Sequence, residues 1–110
     1  MPLKTYILEG TIDPGASWKR IASLTTPTAK TRRFVENRIY ISEPSGVRLR
    51  LVLETDTIHE YVAELENAIR YPHAMDLVVG AGQTLVLEAA NSGSATARII
   101  VELDAEETVK

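Results

Sequence analysis

The stretch VRLRLVLE, from Val47 to Glu54, alternates apolar and mostly polar residues over eight positions. Successive side chains of a β-strand point to opposite faces. Val47, Leu49, Leu51 and Leu53 therefore share one face, and Arg48, Arg50, Val52 and Glu54 share the other. This is the pattern of an antiparallel strand with one buried side. The same period recurs along the chain. LKTYILEGTI (Leu3–Ile12) is rich in β-branched and aromatic residues and stops at Asp13-Pro14-Gly15. Pro presets a turn dihedral there and Gly supplies a positive φ. SWKRIASL (Ser17–Leu24) sets Trp18, Arg20, Ala22 and Leu24 against Lys19, Ile21 and Ser23. RRFVENRIYIS (Arg32–Ser42) puts Val35, Asn37, Ile39 and Ile41 on one side. TLVLEAAN (Thr84–Asn91) points Leu85, Leu87 and Ala89 inward, and ARIIVEL (Ala97–Leu103) does the same with Ala97, Ile99, Val101 and Leu103. NSGS (Asn91–Ser94) between those two reads as a hairpin turn.

Loops are expected at TTPTAKT (Thr25–Thr31), at EPSG (Glu43–Gly46) and at RYPHAMD (Arg70–Asp76), with a short strand and turn over DLVVGAGQ (Asp76–Gln83). One segment supports two readings. In TIHEYVAELENAI (Thr57–Ile69), Ile58, Tyr61, Val62, Leu65 and Ile69 recur at helical spacing, and Thr57 with Glu60 matches a capping box. Strands on both sides at short intervals favour instead a strand from Thr57 to Val62, then a short helical stretch near 63–69. The prediction is one all-β domain over residues 1–110: a two-sheet antiparallel β-sandwich, best met by a single jelly roll of about eight strands. The immunoglobulin-type sandwich is the alternative, but its Cys…Trp…Cys pattern is missing. DAEETVK (Asp104–Lys110) is expected to be a loose acidic tail.

The length of 110 residues and an apolar share of 45% suit one buried core. Without cysteine, disulfides, thiolate metal sites and a cysteine nucleophile are excluded. No apolar run is long enough for a membrane-spanning helix, and the first ten residues do not read as a signal peptide. The net charge of −3 is unevenly spread. Residues 1–55 hold nine Lys/Arg against five Asp/Glu, whereas residues 56–110 hold three against ten. The functional reading of that asymmetry is a dipolar molecule suited to contacts between copies.

Catalytic chemistry has little to stand on. His59 and His73 are the only histidines, and their spacing to neighbouring carboxylates matches no zinc signature. GAGQT (Gly80–Thr84) lacks the lysine and the following helix that a phosphate loop needs. No catalytic residue, metal or cofactor is expected. Lys19, Arg20, Lys30, Arg32 and Arg33 form a basic group that fits docking onto an acidic surface of another copy. Nucleic acid is a poorer partner for an acidic protein with 5% aromatic residues. Trp18 is the candidate face for a carbohydrate ligand, the alternative function.

The outer faces are more telling. Val52 shares its face with Arg48, Arg50 and Glu54; Ile100 with Arg98, Glu102 and Asp104; Val86 with Glu88. Apolar residues framed by charge are the pattern of a polar-rimmed subunit contact. Val52, Val86 and Ile100, with Arg48, Arg50, Lys30, Arg32 and Arg33, are the expected interface.

The run LVVGAGQTLVLEAANSGSATARIIVEL (Leu77–Leu103) resembles small jelly-roll virion proteins of tailed phages and thermophile viruses, of the capsid decoration, cement or penton type. In those, a GxTLxVxAxN strand precedes a polar turn and a last hydrophobic strand. The resemblance covers about a quarter of the chain and carries no site residue. It implies the sandwich architecture, a tendency to self-associate or to dock on a capsid shell, and a place in the virion, or in the cytoplasm before assembly.

Overall fold

The computed structural model describes residues 3–54, 59–65 and 73–109. Eight strands occur among them: β1 (Leu3–Ile12), β2 (Lys19–Thr25), β3 (Lys30–Ile41), β4 (Val47–Glu54), β5 (His59–Leu65), β6 (His73–Val79), β7 (Thr84–Asn91) and β8 (Ala97–Val109). They form two four-stranded sheets, ordered β1-β8-β3-β6 and β2-β7-β4-β5. Every pairing is antiparallel. The strands are nested: β1 with β8, β2 with β7, β3 with β6, β4 with β5. Rolling that nested strip brings β3 beside β8 and β4 beside β7, which is the jelly roll.

The core is the two inner faces. Ile99, Val101, Leu103 and Ala105 of β8 meet Leu85, Leu87 and Ala89 of β7, all fully buried. Leu8, Ile12, Phe34, Ile39, Ile41, Leu49, Leu51 and Val79 complete it. β7 and β8 are paired on both edges, so their inner residues lose all contact with water. The chain measures 45 × 32 × 17 Å. At about 3.3 Å per residue a 13-residue strand spans roughly 43 Å, so β8 runs nearly the full length.

Several expectations need correction. Asp104–Val109 is not a loose tail but the second half of β8, paired to β1 and β3. NSGS is not a hairpin turn: β7 and β8 belong to different sheets, and Asn91–Ser94 is the corner between them. His73–Asp76 belongs to β6 rather than to a loop. Lys30 and Thr31 open β3 instead of closing the preceding loop. Over 63–65 the chain is strand, because β5 pairs with β4 up to Leu65, while 66–69 lies outside the described residues. Phe34, expected on the opposite side from Val35, is fully buried. A bulge between Phe34 and Glu36 reverses the alternation, so Phe34 and Ile39 both face inward.

Asn91 ties one end together. It is buried, and its Nδ2 donates to the carbonyls of Ile12 at 3.2 Å and Ala95 at 2.9 Å. Its Oδ1 accepts from Gly93 N–H at 2.9 Å. Its backbone exchanges bonds with Gly15 and Ala16 in the β1–β2 turn. Gly46, at φ 81°, and Gly93 press two corners against each other; a Cβ on Gly93 would collide with the Ser45 carbonyl oxygen. Asn91→Ala removes three bonds of a buried side chain and should cost about 2–4 kcal/mol. Chemical denaturation of the two proteins side by side checks this.

Candidate assembly surfaces

The outer face of the β2-β7-β4-β5 sheet is a lattice of ion pairs. Arg20 on β2 bonds Glu54 on β4 at 2.6 Å, Arg50 bonds Glu88 at 2.7 Å, and Arg48 bonds Glu64 at 2.8 Å. Arg20 stands opposite Glu88 and Glu54 opposite Thr84, so the Arg20–Glu54 bridge crosses the width of β7 above Val86. Val86 and its cross-strand partner Val52 lie beneath, with 0% and 1% of their surface exposed. The expectation that these two valines stand open is thus corrected. They share a face with charges, and those charges roof them over within one chain. Long arginine stems cover apolar surface while their heads stay paired.

Trp18 belongs to the same roof. The Arg50 guanidinium lies 4.1 Å from its ring centroid and that of Arg48 lies 5.2 Å away. The expected sugar platform is an indole already engaged by two cations.

The expected basic group is split. Arg20 lies in the roof just described, whereas Lys30–Arg33 is part of β3, not a projecting loop. The residues that complete it went unrecognised in the sequence. Glu107, its side chain only 7% exposed, accepts from Lys4 at 3.0 Å and Lys30 at 2.7 Å on Oε1. Its Oε2 accepts from Arg32 at 3.0 Å and from the Tyr6 hydroxyl at 2.6 Å. Arg32 also donates to the Thr25 carbonyl and stacks 4.2 Å from the Tyr6 centroid. Tyr6 in turn meets Phe34 edge-on at 6.3 Å, which joins the hub to the core. The signal was available: Leu103, Ala105 and Glu107 continue the inward period of β8 past the expected end of the strand.

The outer face of the β1-β8-β3-β6 sheet carries a second network. Arg38 bonds both oxygens of Asp104 at 2.7 and 2.8 Å and also reaches Glu102 and Glu36. Thr5 donates to Asp104 at 2.6 Å. Arg33 bonds Asp76 at 2.9 Å, with Glu106 at 3.6 Å, and Arg98 bonds Glu9 at 3.4 Å. Nested pairing sets basic early strands against acidic late ones, so much of the charge asymmetry between the sequence halves is met by ion pairs within the molecule. Between these charges stand apolar side chains. Leu3, Ile7 and Val78 are 50%, 57% and 55% exposed. Ile100 is half-buried and, with Arg38, Ile39, Tyr40 and Glu102, lines an open depression of about 160 Å³. Of the three expected interface apolars, Ile100 alone keeps accessible surface.

The two hubs set the acid response. Hydrogen bonds from Arg38, then from Thr5, hold the Asp104 carboxyl well below the usual carboxylate range. Lys30, Tyr6, Lys4 and Arg32 do the same for Glu107, in that order. Burial, then the bond to Glu107, pushes the Tyr6 hydroxyl up. Among the described residues no group of three His, Cys, Asp or Glu side chains could hold a metal ion. The side chains of His59 and His73 lie outside the described part. No helix is long and apolar enough, among the described residues, to cross a membrane.

No protein-family model and no curated protein matches the chain. Solved structures with a similar fold do. The VP2 protein in the crystal structure of the infectious bursal disease virus subviral particle is similar over 94% of this chain, with a TM-score of 0.50 and 16% identity. This chain spans 32% of that one, about a third of its length. The acid-stable capsid structure of Helicobacter pylori bacteriophage KHP30 is similar over 96% of this chain and 94% of its own, with a TM-score of 0.48 and 16% identity. At such identities the likeness is one of fold: these structural neighbours are viral capsid proteins built on a jelly-roll-like sandwich.

Two outcomes follow from the site. Val52→Lys should unfold the protein rather than merely separate subunits, costing about 3 kcal/mol or more, while Ile100→Lys costs under about 1 kcal/mol. Urea titration of both variants distinguishes them. Asp104 and Glu107 titrate at depressed values when folded. Their stabilisation is complete above the ordinary carboxylate range near pH 4 and is lost as pH falls through that range toward the folded values. Melting temperature should drop steadily below about pH 5, with a shallower slope in Asp104→Asn.

Proposed function

We propose that this chain is a non-enzymatic structural protein that self-associates or docks on a shell, most concretely a virion capsid decoration or accessory protein. The observation that carries this reading is the outer face of the β1-β8-β3-β6 sheet. Leu3, Ile7 and Val78 are each at least half exposed there among ion pairs, Ile7 beside the Ile100 depression and Leu3 and Val78 farther along the sheet at the level of Glu106. Such a surface suits a polar-rimmed contact between proteins. The fold agrees: the same sandwich occurs in the VP2 protein of a viral subviral particle. Covering one exposed isoleucine of this kind would contribute roughly 1.5–3 kcal/mol. Ile7, opposite Glu102, and Ile100 on the same face are near enough for one partner to cover together. Residence in the virion belongs to the same proposal.

The carbohydrate-binding alternative loses its main support, since Arg48 and Arg50 lie over Trp18. The deciding experiment is native mass by light scattering across protein concentration. A defined oligomer that forms as concentration rises supports assembly. A monomer throughout, with no binding to a finished shell, refutes it.

A further inference from the structure

We infer that copies of this chain associate head to tail, with the Lys4–Lys30 end of one copy seated on the acidic outer face of the β1-β8-β3-β6 sheet of the next. The inference rests on the assembly reading above and names the surfaces it uses.

Charge decides the arrangement. Among the described residues the acidic face carries Arg33, Arg38 and Arg98 against Glu9, Glu36, Asp76, Glu102, Asp104 and Glu106, a net of −3. A two-fold contact would stack this face on itself and set like charge against like, which costs several kcal/mol in a desolvated interface. The Glu107 hub has the opposite surplus. Lys4, Lys30 and Arg32 converge on the single carboxylate of Glu107, a net of +2. Arg32 is enclosed, but Lys4 and Lys30 keep 57% and 39% of their side-chain surface. Each ammonium has more donors than its one bond to Glu107 uses. An apolar knob stands beside them: Val109, opposite Lys30 in the ladder, is 82% exposed.

The two surfaces are also placed for simultaneous use. Along β8, Glu107 and Val109 follow the inward period of Leu103 and Ala105, whereas Glu102, Asp104 and Glu106 point outward. The cationic end therefore looks away from the acidic face, and one copy can give one surface and receive on the other. Such a contact is heterologous and closes into a ring or continues as a filament.

The test uses two variants of the whole chain. Lys4→Gln with Lys30→Gln brings the hub surplus to zero and leaves Arg32 and Tyr6 on Glu107. Ile7→Lys puts a cation on the receiving face at a largely exposed position. Circular dichroism first confirms that both keep the parent's strand content. Light scattering should show each variant needing about tenfold more protein than the parent to assemble. Mixed one to one, they should form a dimer of one copy each, because one intact pair of surfaces survives. If the parent assembles but neither variant weakens it, or if the mixture stays monomeric, the head-to-tail contact is wrong and assembly stands. If the parent never assembles, the head-to-tail contact is wrong, and the assembly reading falls with it only if the monomer also fails to bind a finished shell.

Discussion

The structure depends on one constraint, the nested pairing of early strands with late ones. β1 lies against β8 and β2 against β7, with β3 and β6, then β4 and β5, inside them. From that order come the two sheets, the central position of β7 and β8, and a core built from both inner faces. The charge pattern follows from it as well. The basic first half and acidic second half would repel themselves if each half paired internally. Nested pairing interleaves them instead, and Lys4, Lys30 and Arg32 reach Glu107 across strands some 75 to 103 residues apart in sequence. Exposed pairs of this kind contribute little singly, but a shared carboxylate with four donors is a network.

Much of the fold was legible in the alternation of apolar residues. β4 and β7 match their expected bounds, and the inward sets of β7 and β8 are the buried ones. The misses have physical causes. Bulges in β2 and β3 shift the period by one residue, and only the partner strand reveals them. Acidic residues past Leu103 resembled a tail because a sequence does not show that Lys4, Arg32 and Arg38 will face them. A turn rich in Asn, Ser and Gly serves a sheet-to-sheet corner as readily as a hairpin.

The candidate interface was less legible for a related reason. Val52, Val86 and Ile100 look alike in sequence, each an apolar residue among charges. All three lie on central strands, and their fates differ with what covers them. Val52 and Val86 lie under the Arg20–Glu54 bridge, whereas Ile100 borders an open depression. Ile7 and Val78 escaped notice because an edge strand exposes side chains that a central strand covers. Whether an apolar residue is a contact depends on what its neighbours' stems cover, and that is a property of register.

The central place of β8 also shapes the order in which the molecule can form. It pairs on one side with a strand about a hundred residues earlier, at Leu3 and Glu106, and on the other with β3. Closing so long a loop costs entropy before contacts repay it, so the chain belongs among slow folders, on the scale of milliseconds to seconds. A ribosome delivers β8 last of the eight strands. Until then β1 and β3 each show an unpaired edge, the state in which β-proteins aggregate. Lys4, Lys30, Arg32, Arg33 and Arg38 outnumber Glu9 and Glu36 on those waiting strands, and like charge on an open edge disfavours pairing with another chain. β8 then brings Glu102, Asp104, Glu106 and Glu107 to Arg38, Arg33, Arg32, Lys30 and Lys4, so the strand that closes the sheet also pairs its charges.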